Sequence, residues 1–425
     1  MGDSDIDIKN ISNTPAPGIS YFTPYQNPPA GQAANPQSNG SAPPKLFQPV
    51  KIRGLTLHNR IGLAPLCQYS SPDGHLTDWH MAHLGSIAIH GAGFVMVEAT
   101  SVLPEGRITP EDSGLWKDSQ IEPLRRVVEF VHSQSQVIGI QLGHAGRKAS
   151  TFAPWLSSGD LAPENVGGWP DNIKGPSDIP WGPRVGKPKA MTKADIEEFK
   201  EAFGASVRRA VTAGVDFIEI HNAHGYLLSS FLSPTSNNRT DEYGGSFENR
   251  MRLTNEIVDI SRKNMPEDMP LFLRVSSTEW LEESRPDLPS WTVEDTVRFA
   301  EVLAEGGKVD FIDISSGGNH PDQKVRGALP GVPYHAPMAK AVKKAVGDRM
   351  LVGVVGNITT GTTANRLLEE DGLDYALVGR WFQKHPSLVW SFAEELGVDH
   401  KVANQMSWPF GGRGSTTYLK AAQKN

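Results

Sequence analysis

The sequence predicts an α/β protein built as a single (β/α)8 barrel, also called a TIM barrel. From Lys45 onward, eight short apolar runs recur, separated by longer amphipathic stretches. Apolar strands alternating with helical patterns are typical of a parallel sheet, and eight such units fit a closed barrel better than an open doubly wound sheet. No Gly-x-Gly-x-x-Gly motif opens a helix after the first strand, which counts against a Rossmann fold.

The strand candidates are short and rich in β-branched and aromatic residues, and helical patterns lie between most of them. Two of these helices have clear start signals. Thr192 and Thr292 each stand three residues before an aspartate, which is the spacing of a capping box. The predicted strands are Ile61–Pro65, Phe94–Glu98, Val137–Leu142, Phe217–Ile220, Leu271–Val275, Phe311–Ser315, Leu351–Val355 and Tyr375–Val378.

The chain divides into an extension, a barrel and a tail. Residues 1–44 are rich in Pro, Asn, Gly, Ser and Gln, so we expect an irregular or disordered N-terminal extension. Residues 45–400 are expected to form the barrel as a single domain, and residues 401–425 a C-terminal tail at the subunit interface of a homodimer or homotetramer. After the third strand, the connection from Gly143 to about Lys189 is full of Trp, Pro and Gly. Its length predicts a capping insertion over the barrel.

Composition excludes several classes of protein. The chain has 425 residues, 21% of them charged, and a formal net charge of −7, which is ordinary for a cytoplasmic protein and argues against a nucleic-acid binder. No apolar run approaches the ~20 residues that cross a bilayer, and the acidic N-terminus is unlike a secretory signal, so we expect no membrane partner. Cys67 is the single cysteine, which excludes a disulfide or a cysteine-ligated iron–sulfur cluster within the chain.

The most informative segment runs from Phe217 to Tyr226. A β-branched strand is followed there by His221, His224 and Tyr226, with Gly225 supplying a turn. Polar groups just past the end of a parallel strand lie where α/β enzymes keep their active sites. Imidazoles donate hydrogen bonds to anionic oxygens and a phenol can deliver a proton. Two histidines could also share a metal, but no carboxylate or third histidine is clearly placed to complete that site.

The other strand ends carry a second set of polar groups. Loops after the seventh and eighth strands form the usual phosphate site of such barrels, and here they read Gly356-Asn357 and Gly379-Arg380. Arg380 adds a charge-assisted contact to an anion. Cys67 follows the first strand, either as a small apolar side chain or as a pocket residue. The third strand ends near Gln141, whose amide could hydrogen-bond a carbonyl or amide edge of a ligand. The fifth strand ends near Arg274, whose guanidinium could face a flavin. The sixth is followed by Ser315-Ser316-Gly317-Gly318.

Three segments together resemble the Old Yellow Enzymes, a family of flavin-dependent ene-reductases. They are residues 63–70 (LAPLCQYS), residues 220–228 (IHNAHGYLL) and residues 231–246 (FLSPTSNNRTDEYGGS). The third segment is long and highly specific, and the resemblance extends from about Lys45 to about Pro386. Cys67 and residues 79–85 (WHMAHLG) look most like the thermophilic-like subgroup of the family.

The resemblance implies a barrel that holds FMN non-covalently at its C-terminal mouth. It also implies that NADPH, or NADH, drives reduction of the activated C=C bond of α,β-unsaturated carbonyl compounds, with ping-pong hydride transfer through flavin N5. His221 and His224 would bind the carbonyl oxygen of this small-molecule substrate. Tyr226 would supply the proton, and Tyr69 would line the substrate side with it. By matching position, Pro65, Cys67, Ala99, Gln141 and Arg274 would contact the flavin ring, and Ser316, Gly317, Gly356, Asn357, Gly379 and Arg380 would surround the phosphate.

The chain departs from the family pattern at Leu66, where methionine is usual, and at Asn357, where an aliphatic residue is usual. The C-terminal tail departs as well. In the subgroup a C-terminal arginine reaches the neighbouring subunit's active site, and Arg413 is the candidate here. Two other functions stay open: a flavin-dependent isomerase or oxidase using the same site, and a flavin-free phosphate-handling barrel. No lysine that could form a Schiff base ends a strand, which counts against the last.

Overall fold

Eight parallel strands form a barrel in the computed structural model, which describes residues 12–327, 329 and 331–413. Four strands of two or three residues lie outside the barrel. In chain order the strands are β1 (Val50–Ile52), β2 (Leu55–Leu57), β3 (Ile61–Leu63), β4 (Val95–Ser101), β5 (Ile138–Gly143), β6 (Lys174–Gly175), β7 (Lys189–Ala190), β8 (Phe217–Asn222), β9 (Leu271–Ser276), β10 (Phe311–Ser315), β11 (Leu351–Val355) and β12 (Tyr375–Val378).

The barrel strands are hydrogen-bonded in the order β3-β12-β11-β10-β9-β8-β5-β4. Strand β4 closes the circle onto β3 through a parallel bridge between Gly62 and Phe94. A hydrogen bond from Leu63 N to Phe94 O (3.0 Å) adds to this closure. The predicted (β/α)8 barrel is confirmed, and each of the eight predicted runs contributes one of its strands.

Helices surround the barrel, and the two predicted start signals cap them. Thr192 accepts a hydrogen bond from Asp195 N (3.1 Å), and Thr292 accepts one from Asp295 N (3.2 Å). Among the described residues, no helix is both long and apolar enough to cross a membrane. The helices are α1 (Asp78–Ile89), α2 (Ile121–Ser133), α3 (Lys193–Ala213), α4 (Leu227–Leu232), α5 (Phe247–Lys263), α6 (Val293–Gly306), α7 (Ala336–Val346), α8 (Gly361–Glu369), α9 (Arg380–Lys384), α10 (Leu388–Leu396) and α11 (Trp408–Gly411).

A layer of aromatic rings, which we call the floor, fills the N-terminal end of the barrel. Neighbouring rings pack face to face or edge to face, with centroids 4.4–6.0 Å apart. Gly62, Gly139 and Gly353 make room for the rings, because a Cβ atom at any of these positions would overlap one of them. The hairpin of β1 and β2 packs against the same layer. The rings belong to Phe94, Phe217, Phe272, Phe311 and Tyr375.

The described part of the N-terminal extension, residues 12–44, contains neither a strand nor an α-helix and packs on the barrel and the tail. Gly31 N donates to Lys401 O, and Ala34 N donates to Asp399 O, both at 2.8 Å. Residues 1–11 and 414–425 lie outside the described residues, and with them part of the extension expected to be irregular or disordered and part of the expected interface tail.

The long connection between β5 and α3 covers the C-terminal ends of the strands, which we call the mouth. The connection is held together in part by pairing of β6 with β7. Trp169 Nε1 donates to Glu105 O, in the loop after β4, and Trp181 Nε1 donates to Gly318 O, in the loop after β10, both at 2.9 Å. The capping insertion predicted after the third barrel strand therefore bridges loops on different sides of the mouth.

Candidate active site

A cavity of about 670 Å³ lies at the mouth. This volume falls within the roughly 300–1,000 Å³ of small-molecule sites in proteins. The loops after β3, β11 and β12 form much of its wall, and the side chain of Arg274 enters from β9. Six of the residues predicted to bind the cofactor line this cavity: Pro65, Arg274, Gly356, Asn357, Gly379 and Arg380.

One end of the cavity suits an anion. Arg380 and Lys384 contribute positive charge there. Arg380 Nη2 donates to Asn357 Oδ1 (3.1 Å), while Asn357 Nδ2 donates to Leu329 O (3.0 Å). Asn357, the departure from the family pattern, therefore orients the arginine and ties it to the loop after β10. A ligand with a phosphate group fits this end of the cavity.

His335 forms the wall beside Gly356, although neither its position nor that of Tyr334 was predicted from the sequence. His335 Nδ1 lies 2.7 Å from Val355 O, so Nδ1 carries the hydrogen of this bond. Burial lowers the pKa of His335 to about 4, which keeps the imidazole neutral and makes Nε2 an acceptor. Ser316 therefore donates its hydroxyl hydrogen to Nε2 (2.7 Å) and accepts from Trp280 Nε1 (2.8 Å).

Two residues predicted to surround the phosphate also make hydrogen bonds within the protein. Ser316 supports His335 rather than lining the cavity, and Gly317 N donates to Thr278 O (2.8 Å). Ser315, which precedes them at the end of β10, lines the cavity instead. The contact of Ser316 and Gly317 with a phosphate stays a prediction.

Buried carboxyl groups hold the side chains that were predicted to meet the flavin ring. Gln141 Nε2 donates to Glu219 Oε2 (2.6 Å), which leaves the amide oxygen of Gln141 for another partner. Burial and the nearby Asp313 raise the pKa of Glu219 to about 8. Arg274 Nε lies 3.0 Å from Asp313 Oδ2 as an ion pair. Burial raises the pKa of Asp313, and the guanidinium opposes that rise.

The strand and turn after residue 217 bring His221, His224 and Tyr226 together. The ring centroid of His221 lies 5.2 Å from that of His224 and 5.0 Å from that of Tyr226. Ser276 Oγ accepts from His224 N (2.8 Å), and Ser315 Oγ lies 2.7 Å from His224 Nε2. His224 Nδ1 makes no hydrogen bond within the described residues, so it can serve a ligand.

The ionisation of this cluster suits proton delivery. Burial, followed by the charge of Arg274, lowers the pKa of His221 and His224 well below the usual value, so both imidazoles are neutral. Burial also raises the pKa of Tyr226 well above that of a free phenol, and Cys67 adds to the rise. At neutral pH the site therefore presents two neutral imidazoles and a phenol that still holds its proton.

The remaining predicted residues, Ala99, Cys67 and Tyr69, lie near Tyr226. A small cavity of about 10 Å³ is lined by Ala99, His221 and Tyr226. Burial, followed by Asp112, raises the pKa of Cys67 well above its usual value, so this residue is a thiol and not a thiolate nucleophile. The ring of Tyr69 packs edge-on against Trp155 of the capping insertion, with centroids 5.5 Å apart.

In the part of the chain that the structure describes, no three His, Cys, Asp or Glu side chains come together as a metal site. The two histidines of the cluster are instead surrounded by serine hydroxyls, Tyr226 and Arg274. Such a set of donors suits a carbonyl or phenolic oxygen.

Comparison with known sequences gives a family. The model of the NADH:flavin oxidoreductase / NADH oxidase family matches residues 45–398. An NADH:flavin oxidoreductase of Gibberella zeae is 54% identical over 416 residues, which cover 97% of this chain and 98% of the relative. An NADPH dehydrogenase of Geobacillus sp. (strain WCH70) is 40% identical over 369 residues, which cover 86% of this chain and 99% of the relative.

Solved structures show the same barrel. Morphinone reductase superimposes with a TM-score of 0.67 at 25% identity, covering 83% of this chain and 90% of that one. Old Yellow Enzyme from Pichia sp. AKU4542 gives 0.66 at 24% identity, covering 84% and 88%. A 2-naphthoyl-CoA reductase gives 0.71 at 24% identity, covering 83% of this chain and 52% of that chain, so this chain spans about half its length. Similarities below 25% identity are similarities of fold alone.

The cavity and its lining fit the cofactor of this family. Arg274 can meet the ring of a flavin, and the cationic end beyond Gly356 and Gly379 can meet its phosphate. The resemblance to the Old Yellow Enzymes is confirmed by the family match, the NADPH dehydrogenase relative and the morphinone reductase fold. The chain therefore belongs to the NADH:flavin oxidoreductase / NADH oxidase family and is an oxidoreductase that uses FMN with a reduced nicotinamide cofactor.

Proposed function

We propose that this enzyme reduces the activated C=C bond of α,β-unsaturated carbonyl compounds. The observation that carries the proposal is the cluster of His221, His224 and Tyr226, two neutral imidazoles and a protonated phenol at the mouth of a flavin-binding barrel. Reduction of such an alkene needs stabilisation of negative charge on the carbonyl oxygen and a proton at the α-carbon. The cluster contains donors suited to both.

The two histidines act on the carbonyl oxygen. Neither ring nitrogen of His221, of which Nδ1 is buried, makes a hydrogen bond within the described residues, and neither does Nδ1 of His224. Each imidazole can donate from a free nitrogen that carries the ring hydrogen. Donors of this kind contribute about 3–4 kcal/mol each to stabilising a developing oxyanion. For His224 to donate from Nδ1, the Ser315 hydroxyl must donate to Nε2, and the distance of 2.7 Å allows this.

Tyr226 delivers the proton. Bound FMN, once reduced by NADPH or NADH, would supply the hydride for the β-carbon of the alkene. Tyr226 gives its hydroxyl proton to the α-carbon, and the resulting phenolate takes a proton from water before the next cycle. Tyr69, beside Trp155, lines the same side and limits the shape of the substrate.

We further propose how the chain holds FMN. Pro65, Cys67, Ala99, Gln141 and Arg274 contact the flavin ring, with the Gln141 amide fixed by Glu219 and the Arg274 guanidinium paired with Asp313. Gly356, Asn357, Gly379 and Arg380 surround the phosphate, a proposal supported by their place in the cavity wall. Ser316 and Gly317 also lie near the phosphate, with the Ser316 hydroxyl bonded to His335 and Gly317 N bonded to Thr278 O.

The test is Tyr226→Phe in rapid-mixing experiments that follow the flavin absorbance of the holoenzyme. Reoxidation of the reduced enzyme by 2-cyclohexenone should slow by about 10²-fold or more, the usual contribution of a general acid. Reduction of the flavin by NADPH should stay unchanged, because it needs no proton from Tyr226. The control is Tyr21→Phe, which removes an exposed hydroxyl bonded to Ser133 and should alter neither rate. Equal slowing of both half-reactions in Tyr226→Phe would refute this role.

A flavin-dependent isomerase or oxidase at the same site is the second candidate. The observation in its favour is that two imidazole donors polarise a carbonyl whether hydride arrives at the substrate or leaves it. The ratio of NADPH consumed to product formed separates the two functions: a ratio of one supports the reductase, and product formed without NADPH consumption supports the isomerase or oxidase.

We also propose a cytoplasmic location, supported by the ordinary charge balance and the single cysteine. A homodimer or homotetramer, with Arg413 reaching a neighbouring active site, is proposed from the exposed Trp408, Phe410 and Arg413 in the tail. Sedimentation velocity of the purified protein tests the assembly, and a monomer at micromolar concentration would contradict it.

A further inference from the structure

Lys148 joins three segments of the mouth, although the proposed function gives it no role. It lies in the turn that follows β5. Its ammonium donates to His224 O and to Gly318 O, both at 2.9 Å. The first carbonyl belongs to the turn that carries the proposed donors, and the second belongs to the loop after β10. The lysine therefore fixes these two segments to each other and to the β5 side of the barrel.

The two segments are in direct backbone contact beneath the ammonium. Gly225 has a φ of +71° and Gly318 a φ of +90°. A Cβ atom on Gly225 would overlap the Gly318 carbonyl, and one on Gly318 would lie 2.5 Å from His224 O. The His224 and Gly318 carbonyl oxygens both lie 2.9 Å from the same nitrogen, and their partial negative charges favour a cation between them. The Lys148 ammonium is that cation.

Two aromatic rings flank the same ammonium. Its nitrogen lies 5.0 Å from the centroid of the Tyr226 ring and 5.1 Å from that of Trp181. Trp181 belongs to the capping insertion and donates from Nε1 to Gly318 O (2.9 Å), the carbonyl that Lys148 also uses. The positive charge is therefore shared between the insertion and the face of the tyrosine.

We propose that Lys148 is a positioning residue for proton delivery, holding the turn that carries His224 and Tyr226 and stabilising the Tyr226 phenolate with its positive charge. This inference rests on the proposed function, since it requires Tyr226 to lose a proton during turnover. When the phenol gives its proton to the α-carbon, negative charge develops on the ring that faces the ammonium. A cation at this distance favours the phenolate and so makes Tyr226 a stronger acid.

The charge of Lys148 changes near neutral pH. Burial, followed by the charge of Arg147, lowers the pKa of Lys148 to about 7. The titratable groups that face it from the β8 turn are His221, His224 and Tyr226, whose own pKa values lie far from 7. The loop after β10 presents the Gly318 carbonyl and the insertion presents the Trp181 indole. The ammonium therefore loses its charge as pH rises through about 7, and alkene reduction slows with it.

A second group also titrates in this range. Burial raises the pKa of Asp112 to about 7, and the charge of its carboxylate raises the pKa of the Tyr226 phenol. Variants of Lys148 distinguish the effect of its titration on the rate from the effect of Asp112. Lys148→Met keeps the length of the side chain without the charge, and Lys148→Arg keeps a charge that persists above pH 10.

The experiment measures both half-reactions of holoenzyme variants between pH 5.5 and 9, with NADPH and 2-cyclohexenone as probes. In Lys148→Met, the rate of alkene reduction should be roughly tenfold lower at pH 6 and should no longer decrease as the pH rises through about 7. The rate of flavin reduction should stay within about twofold of the parent. Lys148→Arg should recover most of the rate and also lack the fall near pH 7. Lys340→Met, which removes an exposed ion pair with Asp371, is the matched control.

The outcomes distinguish a failure of the role of Lys148 from a failure of the proposed function. A normal pH profile and rate in Lys148→Met, together with slow alkene reduction in Tyr226→Phe, would overturn the role of Lys148 and leave the proposed function intact. Normal alkene reduction in Tyr226→Phe would overturn the roles of both Tyr226 and Lys148, and a parent enzyme that reduces no alkene would overturn the proposed function. If Lys148→Met fails to retain FMN, Lys148→Arg decides: a parental fall in rate near pH 7 in that variant would refute the assignment.

Discussion

Replacement of Gly356 by alanine should damage the cofactor site more than its small size suggests. Gly356 has a φ of +113°, a backbone conformation that L-residues rarely adopt. An added Cβ atom would lie 2.8 Å from His335 Nδ1, against 3.4 Å or more for an ordinary contact, so the ring must move by about 0.6 Å. The imidazole cannot move freely because hydrogen bonds of 2.7 Å to Val355 O and to Ser316 Oγ hold both its nitrogens.

The expected loss in the free energy of unfolding has two contributions. Holding a residue other than glycine in this conformation costs about 1–3 kcal/mol. Lengthening or losing one of the two bonds of His335 costs about 0.5–1.5 kcal/mol more. Gly356→Ala should therefore lower the free energy of unfolding by about 1.5–4.5 kcal/mol. Because His335 and Gly356 both line the cavity, we expect the dissociation constant for FMN to rise at least about tenfold, which corresponds to about 1.4 kcal/mol of binding free energy.

Urea unfolding of the apoproteins and quenching of FMN fluorescence measure the two quantities. Gly372→Ala is the matched control, because Gly372 also has a positive φ (+74°) but a Cβ atom there meets nothing within 4 Å. It should lose only the backbone contribution, about 1–2 kcal/mol, and bind FMN normally. The reasoning is refuted if Gly356→Ala is as stable as Gly372→Ala and binds FMN with the affinity of the parent.

Two further predictions concern the floor and the cysteine. Phe272 is fully buried and stacks on Phe217 and Phe311 at 4.4 Å, so Phe272→Ala should cost about 3–5 kcal/mol of stability in urea unfolding. The kcat of the folded variant should stay near that of the parent, and a specific loss of kcat below the unfolding transition would contradict this separation. Cys67 should remain a thiol at pH 8, because burial raises its pKa, and iodoacetamide should modify it at least about tenfold more slowly than free cysteine. Mass spectrometry measures that rate at the single cysteine, and rapid alkylation of the folded holoenzyme would show that the thiolate forms easily.

The barrel could be predicted because its strands are signalled locally. Runs of apolar, β-branched residues gave β10, β11 and β12 with their observed ends. Strand β8 runs two residues further than predicted, because His221 and Asn222 pair with Arg274 and Val275 of β9. That pairing depends on a partner more than 50 residues away in the chain, so no local pattern reveals it. The hairpin of β1 and β2 escaped prediction because each strand has three residues.

The site was predictable where chemistry lies directly at a strand end. His221, His224 and Tyr226 follow β8, and the structure brings them together as that position predicted. His335 and Lys148 carry no such signal, because the paths of their loops decide what they contact. The loop after β10 returns His335 to the cavity about twenty residues beyond the strand, and only tertiary packing determines where it arrives.

The aromatic floor has a consequence for the order in which molecules reach the flavin. Phe94 and four rings from β8, β9, β10 and β12, covered by the hairpin of β1 and β2, close the N-terminal end of the barrel. We therefore expect FMN, the nicotinamide cofactor and the oxidising substrate all to reach the site from the mouth. On the proposed function, excess alkene bound to oxidised enzyme would block the reductant, and excess reductant bound to reduced enzyme would block the alkene. Mutual competitive inhibition by the two substrates is the outcome expected from the closed floor.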